Sequence, residues 1–267
     1  MRRLLLTVVS LLAIEAAFAA STAFVNVNVV PMHSEMVVSG QTVIVDAGTI
    51  VAIGDVESTP VPEAATVVDG TDRFLMPGLA EMHAHVPATG SANLGRVLTL
   101  FAANGVTTIR GMLGRSSHLD LRQQLLDGDV FGPRLITSGP SMNGNSVSGA
   151  ADAASKVRAQ HAAGYDFIKL HPGLSSSEFA AIAETATELG IPFAGHVPVA
   201  VGLDGALAAG MATIDHLDGY LVALLPADTD PSGGYGGFFD VLLAGQLIEE
   251  RITAIAASTA ASGTWNV

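Results

Sequence analysis

From residue 23 to about residue 75, apolar and polar positions alternate in short β-branched runs. FVNVNVV (24–30), QTVIVDAGTIVAIG (41–54) and ATVVDG (65–70) read as strands broken by Gly and Pro turns. Ala47-Gly48 falls between two such runs and predicts a hairpin. Together they make a small β domain over residues 20–75, the N-terminal part of a composite sandwich. With roughly 50 residues it has little material for a core of its own. After Pro77 the rhythm changes. Short apolar runs (GLAEMHAHV, VTTIRGM, PRLITSG, YDFIKLH, IPFAGHV, MATIDHLDGY) alternate with helical stretches (LGRVLTLFAANG, SHLDLRQQLLDG, ADAASKVRAQHAAG, SSSEFAAIAETATELG, VGLDGALAAG). Strands alternating with helices of this length predict βαβ units and a parallel sheet. Gly105, Gly164, Gly190 and Gly210 stand where helix-ending glycines belong, and Ser175–Ser177 ahead of Glu178 resembles an N-cap. About six βα units over residues 76–267 point to an α/β fold of the (β/α)8 TIM-barrel type, incomplete at its last strands.

Composition narrows the functions this fold can carry. Hydrophobic residues make up 49% of the 267 positions and charged ones 14%, which suits a packed core. Twelve Lys and Arg against 25 Asp and Glu give a net charge of −13, and no basic cluster stands out. Such a surface repels phosphate backbones and argues against nucleic acid as a partner. Cysteine is absent, so any metal must be held by His, Asp, Glu or a modified Lys. Residues 1–19 read as a signal peptide: Arg2 and Arg3, an apolar run from Leu4 to Ile14, then Ala17-Phe18-Ala19 as a cleavage site. The run is too short for a stable membrane anchor, so the mature chain is expected in the periplasm or the medium.

Polar residues concentrate where the predicted strands end. RFLMPGLAEMHAHV sets His83 and His85 one residue apart, so on a strand both imidazoles face the same side and form half a metal site. Paired histidines also occur on solvated strands. The second barrel strand ends with Arg110, the fourth with Lys169 and His171, the fifth with His196 and the sixth with His216. Singly, Lys169 reads as a lysine whose amine reaches solvent, and His196 and His216 as satisfied core histidines. Their joint placement at the catalytic end of one barrel argues for a metal site instead. His33, His118 and His161 fall in loops or on helices and are expected at the surface.

The stretches LMPGLAEMHAHV, GVTTIRGM, GPRLITSG, YDFIKLHPGLS, GIPFAGHVP and ATIDHLDGY resemble the metal-dependent amidohydrolase superfamily. The likeness is to its imidazolonepropionase-like and Xaa-Pro dipeptidase-like branch. That resemblance implies two divalent ions, most plausibly zinc. His83 and His85 would bind the first, His196 and His216 the second, and a carboxylated Lys169 would bridge them. It further implies a metal-bridged hydroxide attacking amide-like C–N bonds of dipeptides or cyclic amides, with Lys169 and His216 as the catalytic groups. Tyr220, His171 and Arg110 are candidates for contacting a substrate carboxylate or oxyanion. Family members carry an aspartate at the end of strand eight, and none of Asp215, Asp218 and Asp240 holds that position. SGTWNV resembles only the start of strand seven, so the chain is expected to be truncated.

Two readings stay open at this point. One is an exported hydrolase; the other is an inactive fragment that at most binds metal or a partner chain. A carbohydrate deacetylase or phosphotriesterase would use a similar site, and a homo-oligomer is compatible with either reading. Mass spectrometry of the chain recovered from its host is expected to show an N-terminus within a residue or two of Ala20. An exported protein that retains Met1 would refute the cleavage site.

Overall fold

The computed structural model describes residues 21–229 and 240–267. The predicted signal peptide lies outside the described residues. The chain divides into two compact units, Met1–Pro77 and Gly78–Val267. Among the described residues, no helix is long and apolar enough to cross a membrane.

The first unit is one mixed sheet of β1 (Thr22–Val29), β2 (Val38–Asp46), β3 (Thr49–Asp55), β4 (Thr66–Asp69) and β5 (Phe74–Leu75). The strand order is β3-β2-β1-β4, with β5 also on β1. β2 and β3 form the expected hairpin: Ala47 and Gly48 both have positive φ, 46° and 76°, the signature of a tight turn matched to strand twist. Among the described residues of this unit, only Ala23, Val27, Val43 and Ile44 are buried apolar residues, in keeping with its small size.

The second unit alternates parallel strands with helices. Its strands are β6 (Leu79–Ala84), β7 (Val106–Gly111), β8 (Arg134–Thr137), β9 (Ile168–Leu170), β10 (Phe193–Gly195), β11 (Thr213–Ile214) and β12 (Trp265–Asn266). Between them run α1 (Leu94–Ala103), α2 (His118–Asp127), α3 (Ala150–Ala163), α4 (Ser176–Leu189), α5 (Gly202–Ala208), α6 (Tyr220–Ala223) and α7 (Ile252–Ser262). All neighbouring strands are parallel, in the runs β6-β7-β8 and β9-β10-β11-β12. Two isolated bridges, Ser138 to Phe167 and Met142 to Leu170, join the runs. β6 and β12 are the outer strands, so the barrel is not closed among the described residues. Trp265–Asn266 pairs with β11, which gives one strand more than six βα units supply.

Sequence signals for individual elements hold in detail. Ser175 and Glu178 form a reciprocal capping box that starts α4. Gly190 ends α4 with φ of 68°, a left-handed position that costs a residue without Cβ little. Strand alternation builds the core: Ile168, Leu170, Phe193 and Ile214 pack with α4 and α5 residues such as Phe179, Ile182 and Leu203. The intervening residues therefore face the barrel interior. One surface expectation is corrected. His118 is fully buried at the start of α2, with Nε2 3.2 Å from the Pro87 carbonyl, because the loop after β6 lies over that helix end. Thr89 ties the same loop down by donating to the Ser117 carbonyl. His33 and His161 are exposed.

Gly195 is where β9 and β10 approach most tightly. Its φ is 130°, and a Cβ there would stand 2.2 Å from the Leu170 carbonyl oxygen, which accepts the His196 N–H at 3.1 Å. Gly195→Ala is expected to cost about 2 kcal/mol or more, read as a fall in the urea midpoint. An unchanged midpoint would mean the strands separate freely at this point.

Candidate metal centre

The inward positions at the strand ends form one row of imidazoles. Ring centroids are separated by 5.3 Å from His85 to His83, 4.6 Å from His83 to His216, 5.6 Å from His216 to His196 and 5.0 Å from His196 to His171. Five histidines that the sequence placed at strand ends are thus brought together. β6 and the extended residues just after it supply the first two by alternation: Ala84 and Val86 pack outward against α1, leaving His83 and His85 on the other face. The ladder between β6 and β7 shifts register between Glu81 and Ala84, and there the Glu81 carboxylate accepts the His83 N–H at 2.8 Å. At the end of β11, His216 and Leu217 both take φ of 57°, an uncommon left-handed backbone for such residues. This bend sets the His216 ring beside His83 although Asp215, one residue earlier, already faces inward.

Lys169 lies beneath the row. It is fully buried on β9, between the outward-facing Ile168 and Leu170, and its ammonium is paired with the equally buried Asp215. Burial pushes the lysine below its ordinary pKa range, while Asp215 pulls it back up. Asp215 also stands 3.6 Å from His83 Nδ1, too far for a hydrogen bond. Its second oxygen, like Nδ1 of His83 and of His171, is buried without a hydrogen-bond partner. One ligand atom each from His83, Asp215 and His216 lies within 4.8 Å of the others.

Asp218 performs a different task. Its Oδ2 accepts the Val197 N–H at 3.0 Å and lies 3.2 Å from His196 Nδ1. A carboxylate only accepts, so Nδ1 carries a proton, and the neutral ring in this tautomer presents its lone pair at Nε2. His83 and His171 are neutral at pH 7. Burial lowers each to about 4, with Asp215 pulling His83 back up and Lys169 pushing His171 further down. The unfolded chain binds protons near pH 6.5 that these two sites refuse, so stability falls as pH drops from there toward 4.

The remaining candidates are engaged elsewhere. Arg110 donates to the Met82 carbonyl at 2.8 Å and to Thr213 Oγ1 at 3.0 Å, and stacks over Phe167, linking strands below the histidines. The Tyr220 hydroxyl meets Thr259 Oγ1 at 2.9 Å and Asn266 Nδ2 at 3.1 Å, on α7 and β12. Sequence reasoning gave Asp215 and Asp218 no place in the site. The signal was their flanking of His216 in Asp-His-Leu-Asp, where two carboxylates bracket one imidazole.

Lys169→Met is expected to destabilise the chelator-treated chain by ~3–5 kcal/mol, because Asp215 is left buried without its cation. Lys169→Met with Asp215→Asn should recover most of that loss in urea unfolding. Equal losses in the single and double variants would show that the two groups are not coupled.

No family model and no curated protein matches this chain. Solved structures do. A protein assigned as a prolidase from Bifidobacterium longum is 25% identical, with a TM-score of 0.65 over 75% of this chain and 55% of that one. The bottromycin amidohydrolase is 27% identical, with a TM-score of 0.63 over 78% and 46%. A Xaa-Pro dipeptidase with methionine in its active site is 22% identical, with a TM-score of 0.59 over 74% and 61%. The chain thus spans about half to three fifths of the length of these proteins. With parallel strands that carry histidines and a buried lysine at their ends, and with these structural neighbours, the chain is a member of the amidohydrolase superfamily.

Proposed function

We propose that the protein is an exported, metal-dependent hydrolase of amide-like C–N bonds in dipeptides or cyclic amides. The observation that carries this reading is the continuous row of imidazoles above a buried Lys169–Asp215 pair, at the strand ends where barrels of this kind place their chemistry. The neighbours named as prolidase and Xaa-Pro dipeptidase support the bond class. Export rests on the N-terminal pattern alone.

The donor set fits a divalent ion such as zinc. It offers imidazoles, a carboxylate and no thiolate, and several of its buried atoms lack partners. His83, His85, His196 and His216 would hold the metal, joined by Lys169 in carboxylated form. Once bound, such an ion polarises a carbonyl and acidifies water near neutral pH. The protein groups do the rest. Asp218 fixes His196 in the tautomer that presents Nε2 outward from the carboxylate. His216, exposed on its strained bend, would complete the ligand set at the mouth of the site. Carboxylation of Lys169 would replace an ammonium–carboxylate pair with two adjacent anions. That change is favourable only with cations beside them, which links the modification to metal loading.

Metal analysis tests this reading. His83→Ala with His85→Ala should lower bound zinc sharply and His161→Ala should not, while chelation of the wild-type chain should abolish cleavage of Xaa-Pro dipeptides or lactams. Hydrolysis that survives chelation, or equal metal content in all variants, would refute it.

A further inference from the structure

We propose that Asp215 is itself a ligand of the metal centre, supplying the carboxylate from the end of β11. This rests on the metal-centre reading above and extends it to a residue that the strand-end pattern of histidines and lysine does not mark.

Three observations converge on Asp215. First, it is fully buried, and although its Oδ2 is paired with Lys169, its Oδ1 has no hydrogen-bond partner. A buried, unpartnered carboxylate oxygen is costly unless something else satisfies it. Second, the distance between His83 Nδ1 and Asp215 Oδ2 is 3.6 Å. That is too long for a hydrogen bond, yet it is close to the ~3.4 Å between two ligand atoms of one tetrahedral zinc with bonds of about 2.1 Å. Third, His216 completes the set, with one ligand atom of each residue inside a common 4.8 Å. The other buried carboxylate nearby, Asp218, also has an unpartnered Oδ1, but its Oδ2 is committed to His196 and the Val197 N–H, and it does not fall within the cluster of His83, Asp215 and His216.

The pairing with Lys169 gives Asp215 a second state. Without an ion, the lysine ammonium is the cation that neutralises this carboxylate. An ion bound by His83, Asp215 and His216 would take over that neutralisation, and an ammonium left beside it would be repelled. Asp215 would therefore exchange one cation for another.

The test uses cobalt(II) as the probe, titrated into the chelator-treated full chain while visible absorption reports the ligand field. Asp215→Asn should weaken cobalt binding at least tenfold and alter the absorption bands, since even indirect partners of a metal site cost about 10–100-fold. Should Asp215→Asn fail to fold with Lys169 unpaired, Asp215→Glu keeps the charge and displaces the donor by one methylene. Its bands should shift while its urea midpoint stays near wild type. Wild-type affinity and unchanged bands in whichever variant folds would overturn the role of Asp215 and leave the imidazole site standing. Failure of the wild-type chain to bind cobalt would instead overturn the metal centre as a whole.

Discussion

A buried charge in a parallel barrel survives only if the strand that carries it can turn its apolar neighbours the other way. β9 is three residues long, and all three are fully buried. Ile168 and Leu170 face the helices, so Lys169 must face the interior, where its charge needs a counter-charge. Asp215 answers it from β11 by the same rule, since Ile214 takes the outward place. The rest of the site is arranged around this pair. His83 is held against Asp215 from the opposite side, Arg110 braces the interior below, and the imidazole row lies above.

How much of this was legible in the chain depends on how local each signal is. The β2–β3 hairpin, the Ser175–Glu178 capping box and the glycine ending α4 are decided by residues within a few positions of one another, and sequence shows them directly. The histidines were legible because alternation is local too: once His83 points inward, so does His85. Asp215 was not, because its meaning depends on Lys169, 46 residues away, and on β11 being only two residues long. A strand that short leaves no periodicity to read. His118 shows the reverse failure. A histidine at a helix start looks solvent-facing until the loop after β6 is laid across it.

His216 adds a third kind of information that neither pattern nor composition carries. Alternation along β11 would send the residue after Asp215 outward, toward the helices. Two successive left-handed residues reverse that, and the chain keeps a conformation costing of order 1–3 kcal/mol per residue that brings one more imidazole into the row beside His83 and His196. Strain of this sort persists where the surroundings over-determine it. Here the His216 N–H is bonded to the Val267 carbonyl and the Asp215 N–H to the Gly195 carbonyl.

The seam between the two strand runs has a mechanical consequence. β6-β7-β8 and β9-β10-β11-β12 are joined by the bridges at Ser138–Phe167 and Met142–Leu170, by Arg110 donating to Thr213, and by a small cluster of Met112, Ile136, Phe167 and Ala194. Each run also packs a larger apolar cluster of its own. His83 and His85 ride on one run; Lys169, His196, Asp215 and His216 ride on the other. A cation shared by His83 and Asp215 would be a further rivet across this seam. Loading it would tie the two runs together more firmly, with a gain that grows as the logarithm of free ion concentration.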